Sequence, residues 1–376
     1  MQNGKVGINM FANVYKGKKV LVTGHTGFKG TWLTTWLLEL GASVCGISKD
    51  IPTTPSMFTE LNLESKIEHY IEDVRNLSKI KEIIDDFNPD FIFHLAAQAI
   101  VSISYEEPLD TIFANVLGTA NILEALRLAN VACTAIIITS DKAYENVEQV
   151  WGYKENDKMG GKDIYSGSKG AAELIIKSYY HSFFKNIDSK IKLGIGRAGN
   201  VIGGGDWAKD RIVVDCMEAW SNKQSVEIRS PEATRPWQHV LEPLSGYLNL
   251  GQALHQNPFL HGEAFNFGPK AEQNHTVKNL LEDLSHYWHF SDAGDAFTVT
   301  DNVPFHEAGL LKLNCDKALS TMKWQANLAY KDTIRFTSEW YYNFYNNEGQ
   351  NMLALTNEQI REYVSLAKEK EILWTE

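Results

Sequence analysis

The stretch Val20-Leu-Val-Thr-Gly24-His-Thr-Gly27-Phe-Lys-Gly30-Thr-Trp-Leu33 decides the fold. A short apolar run of β type breaks into three spaced glycines and then enters a helical pattern. That arrangement brings backbone N–H groups and a helix N-terminus up to a pyrophosphate, so it marks a dinucleotide site. The spacing is G-x-x-G-x-x-G instead of G-x-G-x-x-G, and glycine spacing alone is a weak signal. Far downstream, Tyr165-Ser-Gly-Ser-Lys169 adds a second element, and the two together are much more specific.

Outward from the glycine loop, apolar runs alternate with amphipathic stretches. The strands expected are Lys19–Thr23, Ser43–Ile47, Ile67–Glu72, Phe91–Leu95, Ala135–Thr139 and Lys192–Arg197. Helices are expected over Gly30–Leu40, Ser78–Phe87, Pro108–Ala129 and Tyr165–Phe184. Alternating βα units with nearly continuous apolar strands imply an α/β fold, a doubly wound parallel sheet covered on both faces. The chemistry is then expected at the carboxyl ends of the strands. After Asn200 the pattern changes: Gly203-Gly-Gly-Asp-Trp and four prolines punctuate shorter elements. We expect an N-terminal extension over 1–18 and a dinucleotide-binding domain over 19–200, with segments returning at about 237–268. A smaller substrate-binding lobe is expected over 201–236 and 269–350, and a tail over 351–376. Leu241–Leu254 reads as a further helix, Gly262–Gly268 as a further strand and Leu353–Leu366 as a surface helix; Asp283–Phe336 carries little pattern.

A chain of 376 residues, 44% hydrophobic, is long enough for one large core or two joined domains. The formal charge of −11 argues against nucleic acid or an anionic membrane as partner. No apolar run approaches the roughly 20 residues of a spanning helix. Met1 to Lys18 shows no apolar leader pattern, so a cytoplasmic location is expected. The four cysteines are widely spaced and form no metal-ligand pattern; Cys45 and Cys133 read as small buried fillers. No metal is expected. His94 reads as packed at a strand end.

Tyr165 and Lys169 are spaced i, i+4, on one face of a helix. An ammonium beside a phenol favours phenolate and lowers its pKa from about 10. Such a tyrosine can take a proton from a hydroxyl while hydride leaves the same carbon. A surface Tyr/Lys pair is the plainer alternative, and the glycine loop together with Thr139-Ser140 at a strand end weighs against it.

Here the chain resembles the extended, sugar-nucleotide-modifying branch of the short-chain dehydrogenase/reductase superfamily. The resemblance runs from the glycine loop to Phe265-Asn-Phe-Gly-Pro and is strongest to the CDP-glucose 4,6-dehydratases. Its carriers include His94-Leu-Ala-Ala-Gln98, Thr139-Ser-Asp-Lys-Ala-Tyr-Glu-Asn146, Arg197-Ala-Gly-Asn-Val-Ile-Gly-Gly-Gly-Asp-Trp207 and Ala233-Thr-Arg-Pro-Trp-Gln-His-Val240. The resemblance implies a redox-neutral dehydration of a nucleotide sugar with bound NAD. Tyr165, helped by Lys169, would deprotonate the C4 hydroxyl as hydride moves to NAD. Water would leave across C5–C6, and hydride would return to C6.

The elimination needs an acid and a base. Asp141 is the candidate acid, provided burial raises its pKa. Many relatives carry Asp-Glu here, with glutamate as base; this chain has Asp141-Lys142, as the CDP-glucose dehydratases do. Lys142 acts either as a neutral base, its pKa lowered by desolvation or by Lys169, or as a charged stabiliser of the enolate. Ser140 would hydrogen-bond the C4 oxygen.

For the cofactor, Gly24, Gly27 and Gly30 allow close approach, and Thr26, Phe28 and Lys29 complete the loop. Asp73-Val74 matches the family's adenine contact, with a plain turn role for Asp73 as the alternative. Leu95, Ala96, Ala97 and Gln98 would line the ribose and nicotinamide side. One departure stands out: Ser48 occupies the position where NAD-binding relatives carry an acid for the ribose 2′-OH, and Lys49 would attract a 2′-phosphate. NAD is expected because the resemblance implies a cofactor regenerated at each turnover. For the nucleotide sugar, Arg211 and Arg235 suit diphosphate contacts, with Arg229 a third candidate. Asn200 sits where relatives bind the diphosphate. Trp207 stacks on a base or sugar, or is a core residue.

Two rivals stand beside the dehydratase. A sugar-nucleotide 4-epimerase needs the Tyr/Lys pair but no elimination acid. A non-catalytic NAD sensor needs neither Tyr165 nor Lys169. A homodimer is expected through the helices Pro108–Ala129 and Tyr165–Phe184, which carry enough apolar residues for two buried faces.

Overall fold

The six apolar runs become six parallel strands, and a seventh joins them from the region of returning segments. The computed structural model describes residues 10–186, 188–270, 272–290, 293–300 and 310–376. The strands are β1 (Lys19–Thr23), β2 (Ser43–Ser48), β3 (Glu68–Ile71), β4 (Phe91–His94), β5 (Cys133–Ile138), β6 (Ile191–Ala198) and β7 (Ala264–Phe267). Their order is β3-β2-β1-β4-β5-β6-β7, with every pairing parallel. The order reverses at β1, where Thr23 pairs with Ile47 on one side and His94 on the other. A crevice opens there at the carboxyl ends, the usual ligand position of such sheets.

The near-continuous apolar strands follow from burial on both faces. Val20 and Val22 point into one core and Leu21 into the other; Phe91 and Phe93 share the first and Ile92 the second. The principal helices are α1 (Phe28–Glu39), α2 (Leu77–Phe87), α3 (Gly118–Leu128), α4 (Ile164–Tyr179), α5 (Leu241–Gln256), α6 (Tyr330–Asn346) and α7 (Met352–Glu369). Helices α2, α3 and α4 contribute apolar residues to the second core, and α1, α5, α6 and α7 to the first.

The stretch expected as one helix over Pro108–Ala129 is interrupted. A helical turn over Pro108–Ile112 widens into a π-helical turn at Phe113–Leu117 before α3 begins. The expected Tyr165–Phe184 helix likewise ends in a π turn, Tyr180–Phe184. The tail expected over 351–376 is instead packed against the domain. Helix α7 buries Ile360, Tyr363 and Val364, and Tyr363 sits between Trp36 and Trp374 at ring distances of 5.7 and 5.8 Å. Of the expected N-terminal extension, 1–9 lie outside the described residues. Phe11 stacks on Trp374 at 5.1 Å, and the Tyr15 hydroxyl donates to the Leu248 carbonyl at 2.6 Å. Aromatic burial of this size, about 150–250 Å² per ring, is what docks these segments.

After β6 the chain forms two small sheets, Val226–Ile228 with Phe297–Val299 and Thr234–Arg235 with His275–Thr276. Among the described residues, no helix is long and apolar enough to cross a membrane. Cys45 and Cys133 are buried as expected.

Candidate active site

The glycine loop is built by backbone contact. Gly24 has φ +76°, and a Cβ there would lie 2.8 Å from the Ala96 nitrogen at the end of β4. A Cβ on Gly30 would lie 2.0 Å from the Gly24 carbonyl oxygen. Only glycine lets the loop fold this tightly onto its helix. Gly27 is the extended N-cap of α1, so Phe28 and Lys29 begin the helix with N–H groups that have no intrahelical acceptor. This cradle fits a pyrophosphate.

Around it, the Thr26 hydroxyl donates to the Asp50 carbonyl at 2.7 Å, and the Thr26 N–H to Ser48 Oγ at 3.2 Å. Ser48 Oγ also lies 2.9 Å from His25 Nδ1, and His25 Nε2 lies 2.8 Å from His69 Nδ1. A three-membered polar chain thus stands at the strand end where an acid is usual. Leu95, Ala96 and Ala97 are half-buried as β4 runs out. Gln98 is tied down: its backbone N–H donates to Asn115 Oδ1 at 2.8 Å and its amide to the Ile100 carbonyl at 2.9 Å. Asp73 accepts from the Arg75 backbone N–H at 2.9 Å and from its guanidinium at 2.6 Å, so it does build a turn. Burial raises the Asp73 carboxyl, but the Arg75 bonds outweigh it and leave it below its ordinary value. Val74 is buried.

The catalytic candidates converge from β5 and α4. Ser140 caps a 3-10 turn, Asp141–Ala143: its Oγ accepts from the Lys142 N–H at 3.2 Å and donates to Asp141 Oδ1 at 3.0 Å. Tyr165 and Lys169 lie one turn apart on α4, whose N-cap Asp163 accepts from the Ser166 N–H at 2.9 Å. Tyr165 lies near enough to Ser140 for that hydroxyl to favour its phenolate. Lys142 Nζ lies 5.7 Å from the Tyr165 ring centroid and Lys169 Nζ 6.0 Å. Ser140, Asp141, Tyr165 and Lys169 are all buried.

Burial governs the electrostatics. Asp141 is raised above the ordinary carboxyl range by desolvation, against the pull of Lys142, Ser140 and Lys29. That is the direction in which a general acid must be shifted. Lys169 falls to about 8, through desolvation and then through Lys29. Tyr165 departs from expectation: it is raised to about 12, because desolvation of the phenolate exceeds the help from Ser140 and Arg211. A phenol this thoroughly buried stays protonated until further positive charge arrives.

Lys29 and Arg211 supply the cations at the mouth. Lys29 drops to about 8 by desolvation and by Arg211, while Asp141 and Asp206 raise it. Arg211 Nε holds Asp206 Oδ2 at 3.2 Å. Arg211 therefore lies close to Asp206 and Lys29. Arg235 is half-buried on the small antiparallel sheet and donates to the Thr234 carbonyl. Arg229 is exposed beside Asp215, and Asn200 is exposed two residues beyond β6. Trp207 is 6% exposed; its Nε1 donates to the Tyr345 hydroxyl at 3.0 Å and its ring packs on Trp340 and Phe344. Its stacking role is replaced by a core one, because α6 brings a whole aromatic face against it.

A family model described as GDP-mannose 4,6 dehydratase matches residues 21–337. The chain belongs to the GDP-mannose 4,6-dehydratase family. It is 43% identical over 357 residues, 94% of this chain and 98% of the relative, to the CDP-glucose 4,6-dehydratase of Salmonella typhimurium. The dTDP-glucose 4,6-dehydratase of Haemophilus influenzae is 23% identical over 86% of this chain and 97% of its own. Among solved structures, the UDP-glucose 4-epimerase of Thermotoga maritima superposes with a TM-score of 0.74 at 21% identity, covering 87% of this chain and 99% of its own. The dTDP-glucose 4,6-dehydratase of Streptomyces venezuelae, solved with NAD, gives 0.73 at 17% identity over 89% and 99%. These two likenesses show the fold.

In this member of the 4,6-dehydratase family, sequence inspection missed several groups that shape the site. Arg75 and the His25–His69 pair sit beside the glycine loop and the Asp73 turn in sequence, and only their three-dimensional partners reveal a role. Glu173 and Arg197 form an ion pair of 2.7 Å with both side chains about 5% exposed. One signal was visible beforehand, since Glu173 follows Lys169 by four residues on the same helical face.

Proposed function

We propose that this chain is a CDP-glucose 4,6-dehydratase, a hydro-lyase converting CDP-D-glucose to the 4-keto-6-deoxy sugar nucleotide with NAD as a regenerated cofactor. The observation that carries this is the Ser140-Asp141-Lys142 turn packed against the Tyr165 ring, in a chain that matches a curated dehydratase of that name over nearly its full length. The glycine cradle, with Lys29 beside it, suits the cofactor's pyrophosphate. Gly24, Thr26, Gly27, Phe28 and Gly30 hold it from the loop, Asp73 and Val74 from the β3 side, and Leu95 to Gln98 from the β4 side. NAD, when bound, supplies a hydride acceptor, and its cationic ring favours the Tyr165 phenolate.

Tyr165 takes the proton of the C4 hydroxyl while Ser140 hydrogen-bonds the C4 oxygen. Lys169 keeps a positive charge facing the phenol. Asp141, its pKa raised by burial, delivers a proton to the departing C6 hydroxyl. Lys142 acts at C5, taking the C5 proton as a neutral amine while the C6 hydroxyl departs and, once protonated, stabilising the enolate. Arg211, Arg235 and Asn200 take the diphosphate. An epimerase has no use for an elimination acid at Asp141, and this favours elimination.

We assign a cytoplasmic location and a homodimer. Leu109, Phe113, Leu117, Leu174 and Phe183 are all exposed along the helices flanking the site, the kind of apolar face that a second copy covers. The test is incubation with CDP-, UDP-, GDP- and dTDP-glucose followed by mass spectrometry. Loss of one water from CDP-glucose alone is expected. Retained mass with an altered sugar configuration would make the protein an epimerase.

A further inference from the structure

The catalytic turn is gripped at both ends by one buried ion pair. Glu173 on α4 receives a bidentate contact from Arg197 on β6, Nε to Oε1 at 2.7 Å and Nη2 to Oε2 at 3.0 Å. The Thr139 hydroxyl, just before Ser140, donates to Glu173 Oε1 at 2.5 Å. Arg197 Nη1 reaches the Tyr144 hydroxyl, just after the turn, at 2.6 Å, and the Glu155 carbonyl at 3.0 Å. Tyr144 donates in turn to Asn266 Oδ1 at 2.8 Å, on β7, and stacks on Tyr153 at 5.2 Å. Asn266 donates to the Tyr153 and Asn314 carbonyls at 2.8 and 3.1 Å. Each nitrogen of the Arg197 guanidinium is matched, with four of its five N–H groups donating, as a buried guanidinium requires.

We infer that the Glu173–Arg197 pair positions the reaction centre, fixing Thr139 and Tyr144 on either side of Ser140–Lys142 and setting the Glu173 carboxylate one helical turn from Lys169. The inference rests on the dehydratase assignment for its catalytic meaning, but not for its electrostatics. The charged and titratable groups facing Lys169 are Lys29 from α1, His94 from β4, Tyr165 and Glu173 from α4, and beyond Glu173 the Arg197 guanidinium from β6. His94 is held neutral by burial, at about 3. Lys29 opposes the Lys169 charge and Glu173 supports it, against desolvation. Glu173 is thus the neighbouring charge that favours the Lys169 ammonium, against desolvation and Lys29.

The test is a titration of the Lys169 ε-carbon by NMR in protein labelled with ¹³C-lysine, assigned with Lys169→Arg, together with the pH profile of CDP-glucose turnover. Glu173→Gln is expected to lower the Lys169 midpoint by about one pH unit and to move the alkaline limb of turnover down with it. Glu173→Asp, which keeps the charge, restores the midpoint. Should Glu173→Gln fail to fold because Arg197 is left unpaired, the double variant Glu173→Gln/Arg197→Met removes both charges and is expected to lower the midpoint by about half as much. A Lys169 midpoint unchanged in whichever charge-removing variant folds overturns the inference. If the wild type turns over no nucleotide sugar, the dehydratase assignment fails, while the NMR titration still decides the role of Glu173.

Discussion

Gly199→Ala separates the two half-reactions, and its effect follows from one distance. Gly199 lies immediately beyond β6, and a Cβ there would stand 2.8 Å from Asp141 Oδ2, where ordinary contact begins at 3.4 Å. The added methyl therefore drives the carboxylate back by about 0.6 Å. The carboxylate is a side-chain end, so the backbone of the sheet is spared and the melting temperature falls by no more than a few degrees. A misplacement of about 1 Å at a reacting group costs on the order of 10²-fold. Scaled to this displacement, proton delivery to the C6 hydroxyl slows about ten-fold, or about 1.4 kcal/mol of barrier. Oxidation at C4 relies on Tyr165 and Lys169, which the methyl does not touch. In single-turnover experiments with NAD-loaded enzyme and CDP-glucose, the nicotinamide absorbance should rise at the wild-type rate and decay about ten-fold more slowly. Elimination at the wild-type rate would refute Asp141 as the acid. Equal slowing of both phases would refute the separation of roles.

Lys142→Ala should oxidise C4 and then stall with reduced cofactor bound, detected by the same absorbance; normal turnover would remove Lys142 from the elimination. Tyr165→Phe should lose the oxidation phase by about 10²–10⁴-fold, with the nucleotide sugar still bound in calorimetry. Gly30→Ala sets a methyl 2.0 Å from a backbone carbonyl, which cannot rotate away. Overpacking of about 1–3 kcal/mol or more is expected, seen as a lower melting temperature together with lost NAD binding. Trp207→Ala should cost about 3–5 kcal/mol in denaturant unfolding while the KM for nucleotide sugar holds, because the indole belongs to the α6 aromatic face.

The sheet was legible in the chain because strands buried on both sides need no alternation, only length and apolar content, and Phe91-Ile-Phe-His or Ala135-Ile-Ile-Ile supplies both. The site was legible where its chemistry sits in contiguous motifs: the glycine loop, Ser140-Asp141-Lys142 and Tyr165 with Lys169. What lay hidden depends on partners distant in sequence. Trp207 could not be placed without the aromatic face of α6, nor the final helix without Trp36 and Trp374. The pairing of Tyr165 with Lys169 was visible, yet the sign of the tyrosine's shift was not, since spacing carries no measure of how dry the cleft is. Glu173 carried a local cue in its four-residue spacing from Lys169, whereas Arg197, on a strand reached through a separate crossover, carried none.

The widened turn at Phe113–Leu117 has a consequence for how this protein can change. One surplus residue in a helix rotates everything before it by about 100° relative to everything after it. The π turn carries Asn115, whose amide grips the Gln98 backbone at 2.8 and 3.1 Å and Ser168 Oγ at 2.8 Å, the residue beside Lys169. The same segment presents Leu109, Phe113 and Leu117 outward. A single-codon deletion anywhere in this turn would force a choice between the outward stripe and the inward amide. Both survive only while the irregularity does, so lineages descending from this chain should tolerate replacements here far better than changes of length.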